Sequence, residues 1–488
     1  MTSASLSRRI APALLATLIA GCASTHGLSP TSSLGDVDRL SSADSLARAE
    51  VSPAAWPEAE WWRSLGDPNL DALIATALSG TPSLDAADAR LRKALAQAGL
   101  AEAGLMPTLG ASASHTHAEL PDALPEPVGG MTLGSTMVSL SFAWAPDLWG
   151  GKRARYHAAL GSVRASEAEA QAARVMLAGN IAHAWVALSQ AHELQDVALA
   201  EAERNIGMRK LSEQRVRAGI DNRIALERID SAEAAARAQA GAAAQQVEAL
   251  QNALAVLAGQ GPDFGLTLPR PQLDTPSIQV PSVLPSDLIA RRADVTAARW
   301  RIEAASQSIK ASKADFYPTI NLAAMAGVVG SSLSNLFKSE STFAYASPAI
   351  SLPILDGGRL RNQLAGSNAD FDLAIANYDQ TVLNALREVV DATQSSRSLE
   401  AQVEQTRRAR DSAERSAQLM AQRRQAGLAN QLDVLDAQRP LLQLEQQLAT
   451  LHARRIDAAV NLDIALGGGL PVAQLPASND TLDKTASP

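Results

Sequence analysis

The 488 residues contain one cysteine, Cys22, so no disulfide can form within a single chain. Aromatic residues make up 3% of the chain against a hydrophobic fraction of 46%, so alanine supplies much of the apolar count. Alanine-rich sequence with scattered Glu, Arg and Gln is the composition of long helices packed closely side by side. After residue 22 no apolar run reaches the roughly 20 residues of a membrane-spanning helix, so a bilayer crossing would require a closed β-barrel. Basic blocks are also missing and the formal charge is −8, which disfavours nucleic acid as a partner. Catalytic signatures are scarce. Gly150-Gly151-Lys152 lacks the earlier glycine and the following Ser or Thr of a phosphate-binding loop. No nucleophile-elbow motif occurs. His115 and His117 share a strand face with no Cys or carboxylate nearby, and read as a solvated face rather than a metal site. The expectation is a protein that is not an enzyme and carries no cofactor and no metal.

The N-terminus has a processing signal. Arg8 and Arg9 precede an apolar segment, Ile10 to Ala20, interrupted only by Pro12 and Thr17. This is the shape of a secretory signal, too short to span a bilayer. It ends in Leu18-Ile19-Ala20-Gly21-Cys22, which resembles the lipobox of bacterial lipoproteins. The resemblance implies cleavage before Cys22 and a lipid on its thiol, and Ala23 implies sorting to the outer membrane. Loss of Arg8 and Arg9 with the signal takes the formal charge to about −10.

The rest of the chain repeats itself. Leu105-Met106-Pro107-Thr108-Leu109 corresponds to Phe316-Tyr317-Pro318-Thr319-Ile320, and Asp147-Leu148-Trp149-Gly150-Gly151-Lys152-Arg153 to Ile354-Leu355-Asp356-Gly357-Gly358-Arg359-Leu360. Arg217-Ala218-Gly219-Ile220-Asp221-Asn222 corresponds to Gln425-Ala426-Gly427-Leu428-Ala429-Asn430, and Leu257-Ala258-Gly259 to Leu466-Gly467-Gly468. Four matches in the same order, offset by about 207 to 211 residues, indicate an internal duplication.

Each copy follows one plan. A first helix runs from Asn69 to Ala103, or from Ser286 to Lys313. A low-charge hairpin follows, over 108–146 or 318–354. Its alternation is clearest at Val138, Leu140, Phe142 and Trp144 and at Ile320, Leu322, Ala324, Ala326 and Val328. Phe142, Trp144, Phe343 and Tyr345 form a thin aromatic complement for a membrane barrel. A long helix then extends to Gly219 or Gly427, with apolar residues three and four apart from Leu360 through Val403 to Met420. At 1.5 Å per residue it spans roughly 100 Å. The return helices, Asn222 to Leu257 and Asn430 to Leu466, are about half as long and pair with the distal half of their partners, leaving the first helix to cover the rest. The domain reading is signal 1–21, N-terminal segment 22–68, first repeat 69–263, linker 264–285, second repeat 286–468 and tail 469–488.

These motifs resemble the TolC-like outer-membrane factor family, and within it the lipidated OprM/NodT branch of efflux lipoproteins. The resemblance rests on the lipobox, Trp61-Trp62-Arg63-Ser64-Leu65-Gly66-Asp67-Pro68-Asn69-Leu70-Asp71, Leu148-Trp149-Gly150-Gly151 and Leu352-Pro353-Ile354-Leu355-Asp356-Gly357-Gly358-Arg359. It is completed by Ala426-Gly427, Leu432-Asp433-Val434-Leu435-Asp436-Ala437 and Ala465-Leu466-Gly467-Gly468-Gly469. It implies an α+β membrane protein. A homotrimer would build a periplasmic α-helical coiled-coil barrel, and each protomer would give four strands to a shared twelve-stranded β-barrel in the outer membrane. Four strands cannot close a barrel alone, so a spanning sheet demands oligomerisation on physical grounds. It further implies an exit duct recruited by a periplasmic adaptor (membrane fusion) protein and an inner-membrane transporter of the resistance-nodulation-division type, exporting drugs or other small toxic compounds. Metal-ion efflux and type I protein secretion are alternatives within the class. A pore-less coiled-coil lipoprotein is the alternative outside it, disfavoured by the amphipathic hairpins.

By the same resemblance Asp433 and Asp436, one turn apart, form an acidic ring at the periplasmic mouth, and the tips at Gly219 and Gly427 dock the adaptor. The sequence departs from the family where Ala429 replaces a bracing arginine and Arg424 an aromatic; Arg423 and Arg424 are the substitutes at hand. Asp433 also suits a local role, because an acid at the third position of a helix capped by Asn430 stabilises its start.

Overall fold

The computed structural model describes residues 25, 27–34, 51–52, 56–123, 125, 127, 129–276, 280–281, 291–336 and 338–469. Arg8, Arg9 and Cys22 lie outside them, as do residues 286–290 of the expected second-copy first helix, whose long run starts at Ala293. The helices are α1 (Pro68–Ser79), α2 (Pro82–Ala103), α3 (Gly151–Arg217), α4 (Arg223–Leu257), the short α5 (Pro262–Gly265), α6 (Ala293–Ala314), α7 (Arg359–Gln425) and α8 (Gln431–Ala465). The strands are β1 (Val51–Ser52), β2 (Thr108–Glu119), β3 (Thr132–Trp144), β4 (Val280–Pro281), β5 (Thr319–Gly330) and β6 (Thr342–Ser351). The two halves match closely: α3 and α7 are each 67 residues long, and α4 and α8 are each 35.

The first helix of the first copy differs from expectation. It is two helices, because Gly80 and Thr81 leave the helix and Pro82, which has no N–H to donate, restarts it as α2. The last strand also stops earlier than Ile354, at Ser351, just before Leu352-Pro353.

The chain divides into two compact units. One comprises residues 1–34, 91–166 and 298–378. It holds an antiparallel sheet in the order β2-β3-β5-β6, which leaves β2 and β6 as open edges. Register puts Leu109, Phe142, Ala324 and Ala346 in one row across a face, with Ala111, Leu140, Ala326 and Ala344 in another. Ile320 and Ile350 extend this apolar face, and His115 and Thr136 lie towards its far end. The opposite face is small and hydroxylated, with Ser112, Ser139 and Gly327 in one row and Gly110, Ser141 and Met325 in the next. Phe343 and Tyr345 end these two rows, so the four strand aromatics do not share a face. Gly327 is required here, since a Cβ would strike the Val138 carbonyl and Ser139. Trp149 and Tyr317 stack at the helix–strand junctions, their centroids 4.9 Å apart, and are half exposed.

Small residues let the helices of this unit approach. Ala94 and Ala98 of α2 pack with Val163 of α3, and a Cβ on Gly151 or Gly161 would meet Ala314 or Ala304 of α6. Leu28 packs against the cluster of Ile309, Phe316, Leu360 and Leu364. The neighbouring Thr31 and Ser32 donate to the Asp372 carboxylate.

The other unit comprises residues 35–90, 167–297 and 379–488. Its core joins Trp61, Trp62 and Leu65 of a 3-10 turn to Leu70, Leu73 and Ile74 of α1. These pack with Leu177, Ile181, Trp185 and Leu188 of α3, and with Ile456 and Val460 of α8. Asp67 organises this core. It is 1% exposed and caps α1, accepting from the Asn69 amide, the Trp185 indole and the Gln272 amide at 2.9 Å each. Burial pushes its carboxyl up, but these donors outweigh it and hold it below the usual carboxylate range. In the second copy Arg292, 8% exposed, does a comparable job with opposite charge. It donates to Asp294, to Glu388 of α7 and to the Ala465 carbonyl at the end of α8. β1 and β4 form a short parallel pair.

Candidate functional site

Both helical tips close in the same way. Gly219 and Gly427 sit at φ of 70° and 72°, in the left-handed region where a side chain costs energy. The Gly219 amide bonds to Val216 O and Ile220 N to Arg215 O; in the second tip Gly427 N bonds to Arg424 O and Leu428 N to Arg423 O. This reverse-wound bonding satisfies the last helical carbonyls and lets the return helix start within a few residues. Ile220, Ile224 and Leu428 stand largely exposed around the tips.

After the turn the copies diverge. Asn222 caps α4 by accepting from Ala225 N at 3.1 Å, and Ala225 has nothing to return. Asn430 accepts from Asp433 N at 3.1 Å, and the Asp433 carboxylate accepts from Asn430 N at 2.8 Å. That reciprocal box satisfies two orphan amides of α8, so the local role expected of Asp433 is present. The carboxylate keeps unused lone pairs and is only partly buried, while Asp436 one turn on is exposed.

Arg424 is exposed, and among the described residues neither it nor Arg423 makes an ion pair. A cation that feels the charge of Asp433 comes from the other copy. Arg215, in the last turn of α3, pairs with Asp221 at 2.7 Å. The Asp221 hydrogen bond and charge, and then the more distant charge of Asp433, raise the guanidinium's pKa. Sequence reasoning missed Arg215, because its partner depends on which helices are neighbours.

It also passed over Pro440, which lies inside α8. Proline has no N–H, so the Asp436 carbonyl one turn earlier lacks its helical donor. One residue before that carbonyl, Leu435 O accepts from Arg204 of α3 at 3.2 Å. The Arg204 side chain is 6% exposed, and it forks onto Glu201 at 2.8 and 2.6 Å. This Arg204 hydrogen bond, the foremost cause, holds the Glu201 carboxyl low against its partial burial. A proline in a helical pattern is legible in a sequence; the arginine that bonds to the turn before it is not.

His115 Nδ1 lies 2.8 Å from the Thr136 hydroxyl, a cross-strand pair. Among the described residues no three His, Cys, Asp or Glu side chains are grouped to hold a metal, and no helix is long and apolar enough to cross a membrane.

Paired helical hairpins carrying an incomplete antiparallel sheet define a class, the helical channels of the outer membrane. The sequence profile described as "Outer membrane efflux protein" matches residues 73–260 and 284–468, and the chain belongs to that family. It is 34% identical over 359 residues to the fusaric acid resistance protein FusA of Burkholderia cepacia, covering 72% of this chain and 67% of that one. It is 30% identical over 402 residues to the multidrug resistance outer membrane protein MdtP of Escherichia coli, covering 80% and 82%. The crystal structure of the outer membrane protein VceC of Vibrio cholerae superposes with a TM-score of 0.75 at 34% identity, over 85% of this chain and all of VceC. The fold is therefore that of the outer-membrane efflux channels, as the sequence resemblance implied.

Proposed function

We propose that this chain is one subunit of an exit duct for small toxic organic compounds. Three copies pair β6 of one with β2 of the next to close a twelve-stranded barrel. The observation that carries this reading is the sheet itself. It is apolar on one face and hydroxylated on the other, and it ends in two unpaired edges. An exposed edge pair of this length is a liability unless another chain completes it. The apolar row from Ile320 to Val328 has the length of a membrane-spanning strand. The lipid on Cys22 serves as a second anchor, and Thr31 and Ser32 are tied to α7 through Asp372. The division into two repeats, 69–263 and 286–468, supplies each copy's hairpin of strands and hairpin of helices.

The exposed tips around Gly219 and Gly427 receive the adaptor, which couples the duct to a pump of the resistance-nodulation-division type; the pump supplies the energy. FusA and MdtP are named for resistance to fusaric acid and to multiple drugs, which favours small organic cargo over metal ions or polypeptides. Three copies of Asp433 and Asp436 ring the periplasmic mouth. In the resting state this ring constricts the mouth and favours cations, with Asp433 held in place by its reciprocal bonds to Asn430.

Single-channel recording from the purified oligomer in planar bilayers tests the duct. Defined conductance steps are expected, and silence from a folded oligomer refutes it. For the ring, Asp433→Ala with Asp436→Ala should raise unitary conductance or antibiotic influx; unchanged leakage removes these carboxylates from the gate.

A further inference from the structure

We infer that Arg204 is a positioning residue for the acidic turn, and that the segment Gln431–Arg439 is a lever hinged at Pro440 and held by Arg204 through the Leu435 carbonyl. The inference rests on the proposed role of that turn at the mouth and assigns what keeps it in place.

The grip is built on α3 before it touches α8. Glu201 takes two of the Arg204 N–H groups, and Asn205 braces Glu201 by donating to its Oε1 at 3.0 Å and to its carbonyl at 2.9 Å. Nη2 also reaches Asn205 Oδ1 at 3.4 Å, and Nη1 contacts Met208 Sδ at 3.0 Å. A guanidinium fixed in this way loses little further freedom when Nη1 bonds to Leu435 O. Gly207, one turn along the same face, leaves room for the Leu435 side chain, the place a Cβ would occupy being 3.7 Å from Leu435 Cδ1. Leu435 lies between Asp433 and Asp436, so fixing its carbonyl fixes the direction in which both carboxylates leave the helix.

The other end of the segment is loose. Pro440 removes one rung of the helical ladder and crowds the carbonyl of Asp436. Beside it lies a cavity of about 380 Å³ between α3, α4 and α8, lined by Ala198 and Ala242 and by Arg439 and Leu442 of the hinge region. Small side chains there give Arg439 and Leu442 space to shift. A segment hinged at one end, with space beside the hinge, takes its resting position from its lateral contacts, among which Arg204 supplies the hydrogen bond to the backbone.

Arg204→Lys keeps the charge and removes the fork. In bilayer recordings of the intact oligomer it should raise the ratio of open to closed time about tenfold, equivalent to about 1.4 kcal/mol. Adding Arg204→Lys to Asp433→Ala/Asp436→Ala should give little further opening, because both act through one turn. Pro440→Ala, which restores the missing rung, should shrink the Arg204→Lys effect. Gly207→Leu, which pushes on Leu435 without touching Arg204, covers the case in which Arg204 variants do not assemble and should open the channel in the same direction. The inference is overturned if Arg204→Lys and Gly207→Leu gate like wild type while Asp433→Ala/Asp436→Ala opens. It is also overturned if Arg204→Lys adds its full effect to that pair, or if Pro440→Ala leaves the effect intact. If Asp433→Ala/Asp436→Ala changes nothing while Arg204→Lys opens, the acidic mouth falls and the hold of Arg204 on the segment stands.

Discussion

The two copies within this chain keep the same skeleton and divide its chemistry. Their long helices and return helices agree in length to the residue, and their tips close through the same glycine geometry. Yet the buried polar anchors differ: an acid, Asp67, just before the first copy, holds Trp185 of α3, whereas a base, Arg292, holds the end of α8 in the second copy. The acidic turn and the helix-interior proline occur only in α8; counted from the helix starts, Ala225 and Ala232 stand in α4 where Asp433 and Pro440 stand in α8. The lateral hold is divided as well, since α3 provides Arg204 and α7 has Ser412 at the same place. Backbone geometry is preserved because helix lengths and tips must match for the halves to pack as neighbours. Side-chain chemistry is free to separate wherever one copy suffices.

The contrast between the buried acid and the buried base gives the largest expected effect. Asp67→Ala strands the Trp185 indole and the Gln272 amide without an acceptor, and should cost about 3 kcal/mol or more in thermal or denaturant unfolding. Its pH dependence separates the copies. The folded Asp67 carboxyl is held below its unfolded value, so its stabilisation is present above the unfolded pKa and is lost as pH falls through the folded one. Arg292 stays charged across that range. Acid unfolding that begins in the Asp67 region, followed by hydrogen exchange, would sharpen the comparison; simultaneous loss of protection around Asp67 and Arg292 would break it.

Asp463 provides the next contrast, because Ala255 holds its place in α4 and is fully buried. Burial raises the Asp463 carboxyl to about 7. Such a group favours the fold while neutral, so its contribution is lost as pH rises from its unfolded value through about 7. Asp463→Asn should therefore stabilise by on the order of 2 kcal/mol at pH 8 and change little near pH 4. A pH-independent effect would assign the change to packing.

Gly219→Ala and Gly427→Ala should each cost about 1 kcal/mol or slightly more, and equally, since both glycines are left-handed with open space where a Cβ would project. Unequal costs would mean that the tips are less alike than their hydrogen bonds indicate. The smallest effect is expected from Ala225→Asp, which gives α4 the carboxylate that completes a capping box with Asn222. It should add about 0.5 kcal/mol without raising channel leakage. Leakage from this variant would show that any acid after a tip acts on the mouth.

The sequence alone determined the duplication, the lengths of the long and return helices to within a residue or two, the turn glycines and the strand hairpins. These depend on periodicity and on glycine and proline, whose effects are local. It marked Asp433 for capping through its position after Asn430, while the mouth was what the family resemblance implied. It misjudged the 69–103 helix, where the Gly80-Thr81-Pro82 break was passed over, and it grouped Phe343 and Tyr345 with Phe142 and Trp144. Strand register decides faces, and register is set between strands rather than within one. The tertiary structure alone decided which arginine faces which acid. Arg215 near Asp433 and Arg204 on Leu435 join residues more than 200 positions apart. Sequence separation carries no information about such pairs. They form because α3 and α8 pack side by side, and burial of the Arg204 side chain strengthens the bonds it makes.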